Sequence, residues 1–232
     1  MATVPNVEIL TESSYRVYHQ NLYAEVLSQH VIQGCHWLDI GAGSRIHGGW
    51  LTKQESLASR PARLVGCDLL HNHLNENHFL TDRVACQADG LPFADRTFDI
   101  VSANMVLEHL TAPSFVFKEA RRVLKPGGRF IFMTPHKGHP IIWLASVLLH
   151  ATTRSWLARF EGRDPKHIFP TRYRANTPRR VIALAAEAGF EAERLVLFAS
   201  HPFAKGWLGK VETMAGRLLG WRSNMLGVLR SI

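Results

Sequence analysis

The sequence predicts an α/β fold in which helices cover a mostly parallel sheet. Apolar runs of strand length alternate along the chain with amphipathic segments of helical length, and this alternation favours right-handed crossovers between parallel strands. The chain has 232 residues, of which 46% are hydrophobic, so it can bury a substantial core. This length suits a single domain over residues 1–232 rather than two full domains.

The chain is organised around a glycine turn that follows the apolar run 37–40. Asp39 stands within this run, and Gly41 and Gly43 follow it one residue apart. Ligands of open parallel sheets bind at the carboxyl ends of strands, and glycines let the backbone pass close to a ligand. The third glycine of the dinucleotide-binding fingerprint is missing, so the turn alone fits a cofactor site and an ordinary strand-to-loop turn equally well.

Four further stretches favour the cofactor site. The apolar run 64–68 closes on Asp68, which at the tip of a second strand can accept hydrogen bonds from ribose hydroxyls. A third acid, Asp89, stands beside Gly90 in a turn. Two further apolar runs predict strands at 98–104 and 129–134.

Six motifs follow one another along residues 34–136: D-I-G-A-G, G-C-D, D-G-L-P-F, F-D-I-V, L-E-H-L and L-K-P-G-G. In this order they resemble the class I S-adenosylmethionine-dependent methyltransferases, in particular the small-molecule branch that includes the quinone-biosynthesis methyltransferases. The resemblance implies a doubly wound, Rossmann-like sheet of seven strands, whose last strand, at 224–230, is antiparallel. It also implies that the chain is an enzyme with S-adenosylmethionine as its cofactor.

The resemblance further implies which residues hold the cofactor: Asp39, Gly41, Gly43, Asp68, Asp89, Gly90 and Asn104. The first three match the methionine-binding turn of the family, Asp68 matches its ribose-binding acid, and the next two match its adenine side. Asn104 stands at the tip of the strand predicted at 98–104. The sequence departs from the family at Ser44-Arg45, where a glycine or small residue is usual, and in a longer spacing between Gly43 and Asp68.

Three histidines are the candidates for a general base. Transfer of a methyl group from a sulfonium needs mainly alignment and a water-poor site, because the sulfonium already supplies a good leaving group. A base is needed only where the acceptor carries a proton that it must lose. The candidates are His109, His136 and His167, and no spacing argument ranks them.

Substrate recognition is predicted after the strand at 129–134, where the resemblance becomes weaker. Residues 137–176 are predicted to form a helical cap insertion over the site. The candidate substrate residues are His139, Arg172, Tyr173 and Arg174. Arginines at this position can bind a carboxylate or phosphate with two parallel hydrogen bonds, although exposed surface charges fit the same pattern.

Two apolar segments leave a choice between a cap and a membrane surface. The run 140–149 is too short to span a bilayer, which takes ~20 residues. The stretch 203–222 lies in an amphipathic insertion predicted over residues 201–222. Both segments have tryptophans near basic residues, as helices at a membrane interface do. The net charge is +8, and its whole excess lies in residues 151–232, which favours anionic partners.

The sequence thus predicts a methyltransferase that acts on a small-molecule, lipid-like or glycan acceptor. One alternative is an RNA or DNA methyltransferase, but long apolar runs interrupt the basic region and no N/D-P-P-Y-type motif occurs. Another is a non-catalytic protein that binds S-adenosylmethionine or a partner, since no base can be assigned. A nicotinamide-dependent dehydrogenase fits least well, because the third glycine is missing. The oligomeric state is not indicated.

Cysteine usage and the N-terminus predict a cytoplasmic protein, with peripheral contact to an anionic membrane as an open addition. Cys35, Cys67 and Cys86 form no C-x-x-C pair and are odd in number, so we expect reduced core thiols. No cysteine or carboxylate at ligand spacing accompanies His71 and His73, so no metal is expected. The N-terminus shows no signal-peptide pattern.

Overall fold

Eight strands form one mixed sheet in the computed structural model, which describes residues 7–9, 19–47, 54–148, 169–199 and 206–232. In chain order the strands are β1 (Val7–Ile9), β2 (His36–Ile40), β3 (Arg63–Asp68), β4 (Asp82–Ala85), β5 (Phe98–Asn104), β6 (Leu124–Pro135), β7 (Phe190–Phe198) and β8 (Asn224–Ser231). Across the sheet their order is β1-β7-β8-β6-β5-β2-β3-β4. Strand β8 runs antiparallel to both of its neighbours, and the other pairs are parallel.

The predicted fold class is confirmed, with one correction to the number of strands. The sheet is mostly parallel and its last strand is antiparallel, as the resemblance implied. It contains eight strands rather than seven, because Val7–Ile9 adds a parallel edge strand beside β7. Three residues are too few to show an alternating pattern, so this strand has no recognisable signal in the sequence.

Helices cover the sheet within the same described residues. They are α1 (His19–His30), α2 (Gln54–Ala58), α3 (His71–Glu76), α4 (Pro113–Val123), α5 (Pro140–Leu148), α6 (Pro178–Ala188) and α7 (Gly206–Leu219), and a 3-10 turn spans Leu107–His109. Local signals set both ends of α6: Thr177 accepts the N–H of Arg180 at 3.4 Å, and Gly189 follows with a φ of 84°. In the part of the chain that the structure describes, every helix is too short or too polar to cross a membrane.

Alternate residues of β6 face two hydrophobic cores, one on each side of the sheet. Phe130 and Phe132 pack against Phe117 of α4, with ring centroids 5.5 and 6.4 Å apart. Ile131 and Met133 belong to the other core, which includes residues of α1. Because helices cover both faces, the ends of the strands are where a ligand can reach the sheet.

The strand order reverses between β5 and β2. From β2 the chain continues to β3 and β4 in one direction, whereas β5 leads to β6 in the other. The carboxyl ends of β2, β3 and β5 therefore meet beside a crevice at one edge of the sheet, where ligands of such folds bind. The glycine turn and Asp68 stand at this edge.

Candidate active site

A cavity of about 440 Å³ lies at the carboxyl ends of β2, β3 and β5. We call it the strand-tip cavity. Its volume falls within the ~300–1,000 Å³ range of small-molecule sites. Six of the residues singled out in the sequence line it: Gly41, Asp68, Asp89, Asn104, His109 and Arg172.

The turn after β2 requires glycine at position 41. Gly41 has a φ of 69°, and a Cβ atom there would lie 2.4 Å from Cγ2 of Val106. Its N–H donates to the carbonyl oxygen of Cys67 at 2.7 Å, which joins the turn to the end of β3. Gly43 also has a positive φ, of 45°. Bare backbone at Gly41 thus forms part of the cavity wall.

Asp68 is held in place by the backbone of two loops. Its Oδ2 accepts the N–H of Gly43 at 3.1 Å, and its Oδ1 accepts the N–H of Leu70 at 2.9 Å. A carboxylate has about four lone-pair sites, so both oxygens keep acceptor capacity for a ligand. The carboxylate is therefore oriented before a ligand binds, and a pair of neighbouring hydroxyls, as in a ribose, suits it.

Asp39 lies behind the glycine turn and is not part of the cavity lining. The residue is 2% exposed, and the hydroxyl of Ser102 donates to its Oδ1. Nε1 of Trp37 donates in turn to the Ser102 oxygen at 2.7 Å. Burial raises the pKa of Asp39 to about 7, and the charge of Asp68 adds to the rise. These hydrogen bonds join β2 to β5 beneath the turn.

The loop after β4 forms a further wall of the cavity. The N–H of Cys86 donates to the carbonyl oxygen of Asp68 at 3.1 Å, and the N–H of Gly90 donates to that of Gln87 at 3.3 Å. This turn brings Gln87 and Asp89 to the cavity, whereas Gly90 itself is not among the lining residues.

Two of the cysteines line the cavity and also belong to or pack against the hydrophobic core, as predicted. Cys67 is buried, Cys86 is half-buried, and both thiols are free. The Cys67 thiol donates a hydrogen bond to the Cys86 sulfur, which lowers the pKa of Cys86 and raises that of Cys67. The apolar strand pattern around them had suggested the core alone.

Asn104 pairs with a residue that the sequence did not indicate. Its Nδ2 donates to Oε1 of Gln20 at 2.7 Å, and its Oδ1 accepts from Nε2 of Gln20 at 3.3 Å. Gln20 is a buried residue of α1, 84 positions away, so no local pattern reveals the pair. Met105 follows with a φ of 57°, a conformation that is uncommon for a residue with a side chain and recurs at functional sites.

His109 brings a titratable ring to the cavity wall. Its Nδ1 lies 3.2 Å from the carbonyl oxygen of Pro170, which can only accept, so Nδ1 carries the proton of the neutral ring. The ring of Phe169 packs edge-on against it, with centroids 6.0 Å apart. Nε2 lies 3.8 Å from Oε1 of Glu108.

Glu108 of the L-E-H-L motif is a buried acid beside this histidine, and the motif alone indicates no role for it. Burial raises its pKa to about 7, while the hydroxyl of Thr134 donates to its Oε2 at 3.0 Å. Asn176 Nδ2 donates to the Thr134 oxygen at 2.6 Å. This network joins the 3-10 turn to β6 and to the segment before α6.

The other candidate histidines are placed differently. His136 and His139 stand after β6, outside the cavity lining, and burial lowers the pKa of both. Nδ1 of His136 lies 3.1 Å from the carbonyl oxygen of Arg222. Nε2 of His139 lies 3.9 Å from Oε1 of Glu212 in α7. His167 is outside the described residues, as is half of the predicted cap, residues 149–168.

Hydrogen bonds to Glu108 and Thr111 hold the segment 169–174 beside the cavity. The backbone N–H groups of Arg172 and Tyr173 donate to the carbonyl oxygen of Glu108 at 2.5 and 3.1 Å. Arg174 Nη1 donates to the carbonyl oxygen of Thr111 at 2.5 Å. Of the three predicted substrate residues here, Arg172 lines the cavity, together with Phe169 and Pro170.

The fold that surrounds the strand-tip cavity is the one that class I methyltransferases share. A sequence model of the family described as "Methyltransferase domain" matches residues 38–132. The match includes the glycine turn, Asp68, Asp89 and the L-E-H-L motif. The predicted resemblance to the class I methyltransferases is therefore confirmed over residues 38–132, and so is the prediction of S-adenosylmethionine, the cofactor of that class.

Two curated relatives show how far the sequence similarity extends. The chain is 35% identical over 102 residues to the malonyl-[acyl-carrier protein] O-methyltransferase of Hahella chejuensis, covering 42% of this chain and 35% of that protein. It is 28% identical over 141 residues to a ubiquinone/menaquinone biosynthesis C-methyltransferase of Burkholderia cenocepacia, covering 55% of each. The chain thus spans about a third of the length of the first relative and about half of the length of the second.

Structural similarity extends further along the chain. An S-adenosylmethionine-dependent methyltransferase from Mesorhizobium loti superposes with a TM-score of 0.59 and 18% identity. The superposition covers 89% of this chain and 96% of that one. The shared fold therefore reaches well beyond the residues that match the family.

Proposed function

We propose that this chain is an S-adenosylmethionine-dependent methyltransferase that acts on a small-molecule acceptor. The observation that carries the proposal is the position of Asp68. Two backbone N–H groups fix its carboxylate beside the glycine turn, at the wall of a cavity of about 440 Å³. The lining fits a nucleoside cofactor, since it combines an oriented carboxylate with bare backbone at Gly41.

Three loops would hold the cofactor. Gly41 and Gly43 would contact the methionine part, Asp68 the ribose hydroxyls and Asp89 the adenine side. When bound, S-adenosylmethionine supplies a methyl group that is attached to a sulfonium sulfur. The rest of the cofactor is then a thioether leaving group that needs no help from an acid. The protein then has to align the acceptor and keep water out.

We assign the role of general base to His109 for an acceptor that must lose a proton. It lines the cavity, whereas His136 does not. Because Nδ1 is engaged with the Pro170 carbonyl, Nε2 holds the lone pair of the neutral ring and can accept the proton. An ionised Glu108, 3.8 Å from Nε2, would stabilise the imidazolium that results.

The acceptor side of the cavity is mostly apolar. Its lining includes Leu110, Val116, Phe169 and Pro170, and Arg172 adds a cation. Such a wall supports an apolar acceptor with one polar or anionic group more than it supports a glycan. The two relatives point the same way, since one is named for ubiquinone and menaquinone biosynthesis and the other for a malonyl-[acyl-carrier protein].

Calorimetric titration with S-adenosylmethionine, its demethylated product and NADH tests the cofactor assignment. We expect the first two to bind and NADH not to bind. Asp68→Ala should lower the affinity for S-adenosylmethionine by about a hundredfold or more, since it removes the charged group that accepts hydrogen bonds from the ribose hydroxyls. Asp95→Ala removes an exposed carboxylate outside the cavity lining and serves as the control. Full affinity in Asp68→Ala, or binding of NADH, would refute the assignment.

A further inference from the structure

Helix α7 exposes its apolar face and buries its small residues. Trp207, Val211, Met214 and Leu218 follow one another at spacings of four, three and four, so they share one side of the helix. Trp207 is 72% exposed and Leu218 is 79% exposed. The buried side contains Gly209 and Gly216. A surface helix ordinarily turns its large apolar residues inwards, so this arrangement calls for a partner.

The amino end of helix α5 lies near α7, and α5 adds to the exposed apolar area. Its Trp143 and Leu144 are exposed, and the helix contains no charged residue. His139, directly before α5, lies 3.9 Å from Glu212 of α7 and packs edge-on against Trp221. We call this pair of faces the two-helix surface; it comprises Trp143, Leu144, Trp207, Val211, Met214 and Leu218.

The segments that contain the two-helix surface are predominantly basic in sequence. The segments 137–148 and 206–222 contain four basic residues, Lys137, Lys210, Arg217 and Arg222. Glu212 is their one acid, and its side chain is only 10% exposed and directed at His139. An anionic partner is therefore complementary to this surface, whereas a second copy of the chain would bring two basic faces together.

The two-helix surface lies at the same edge of the sheet as the strand-tip cavity. Helix α5 begins just after the carboxyl end of β6, and α7 ends just before β8 begins. Pro135 and Asn224 pair at this edge, because β6 and β8 are antiparallel. The carboxyl end of β6 lies beside that of β5, which contributes to the cavity.

We propose that the two-helix surface docks on the surface of an anionic lipid bilayer. Tryptophans and aliphatic side chains enter the interface, while the flanking lysines and arginines contact anionic headgroups. Docking places the edge of the sheet that holds the cavity towards the membrane. The binding itself does not depend on methyl transfer.

Co-sedimentation with vesicles tests the docking. One set of vesicles contains phosphatidylcholine and phosphatidylglycerol in equal parts, and the other contains phosphatidylcholine alone. We expect binding to the first set at low salt, little binding to the second, and weaker binding as salt rises. Equal binding to both sets, or no binding to either, would overturn the proposal.

Paired variants locate the contact. The double variant Trp207→Ser, Leu218→Ser should lower the partition coefficient on anionic vesicles by at least about tenfold. Ile32→Ser removes a similarly exposed apolar side chain near the amino end of β2, at the opposite edge of the sheet, and should leave the partition coefficient unchanged. Lys210→Glu should weaken binding to anionic vesicles and leave that to neutral vesicles unaltered.

Two further measurements keep the result interpretable. Calorimetric titration with S-adenosylmethionine should give the same affinity for the double variant and the unaltered chain, which shows that the fold is intact and separates this test from that of the proposed function. Sedimentation velocity should show the same oligomeric state for the unaltered chain and the double variant. A dimer that disappears in the double variant would assign the surface to a second copy and overturn the proposal.

Discussion

The strand-tip cavity has two halves, the proposed cofactor half and the proposed acceptor half, which are built in different ways. The cofactor half consists of turns that follow adjacent strands, and backbone hydrogen bonds join them, such as those from Gly43 and Cys86 to Asp68. The acceptor half joins the 3-10 turn to the segment 169–174 through contacts between residues 61 and 63 positions apart. The first half follows from local sequence, whereas the second depends on packing across the fold.

The largest expected effect concerns Asp39, the buried support of the cofactor half. Because the folded protein keeps the proton that the unfolded chain loses above the ordinary pKa of 3.8, its free energy of unfolding falls as the pH rises from about 4 to about 7. The difference between 3.8 and about 7 corresponds to as much as about 4 kcal/mol. Asp39→Asn should remove this part of the fall.

Urea denaturation at a series of pH values measures this dependence of the free energy of unfolding on pH. Asp95→Asn, which alters an exposed carboxyl, is the matched control for the loss of one carboxyl group. An unchanged slope in Asp39→Asn would mean that Asp39 is ionised in the folded protein.

A second prediction concerns His109 in the acceptor half. His109→Ala should lower the single-turnover rate of methyl transfer by about a hundredfold or more, the usual contribution of a positioned base. The affinity for S-adenosylmethionine should change little, because His109 belongs to the acceptor side. His136→Ala should leave the rate nearly unaltered, since His136 does not line the cavity. The reverse ranking of the two variants would move the base to His136.

A smaller effect is expected for the glycine turn of the cofactor half. Gly41→Ala forces a Cβ to within 2.4 Å of Val106 and onto a φ of 69°, so the affinity for S-adenosylmethionine should fall by about tenfold or more. A Cβ at Gly90 meets nothing within 4 Å, so Gly90→Ala should change the affinity little. Calorimetry on both variants gives the comparison. Equal losses would show that the turn tolerates a side chain.

Much of the cofactor half could be predicted because its signals are local. A buried run that closes on an acid indicates a strand tip, and two glycines in the next three residues indicate a turn that needs a positive φ, as Gly41 shows. The parallel order of neighbouring strands then brings Asp68 to the same edge. Local chemistry also set the ends of α6 at Thr177 and Gly189.

The acceptor half could not be predicted in the same way. No spacing rule indicates that Pro170 accepts from His109 or that Gln20 pairs with Asn104, because each pair joins distant segments. His136 follows a strand tip, as a site residue would, yet its ring is engaged with the Arg222 carbonyl after α7. Where a loop follows a strand, the elements packed beside it decide which way its side chains point.

Transfer of radiolabelled methyl groups from S-adenosylmethionine to a total lipid extract tests the proposed function most directly. Asp68→Ala provides the blank, and an RNA fraction and a glycan fraction are assayed in parallel. We expect label in the organic phase with the unaltered chain and about a hundredfold less with Asp68→Ala. Label confined to RNA, or cofactor binding without transfer to any fraction, would contradict a methyltransferase for small apolar acceptors.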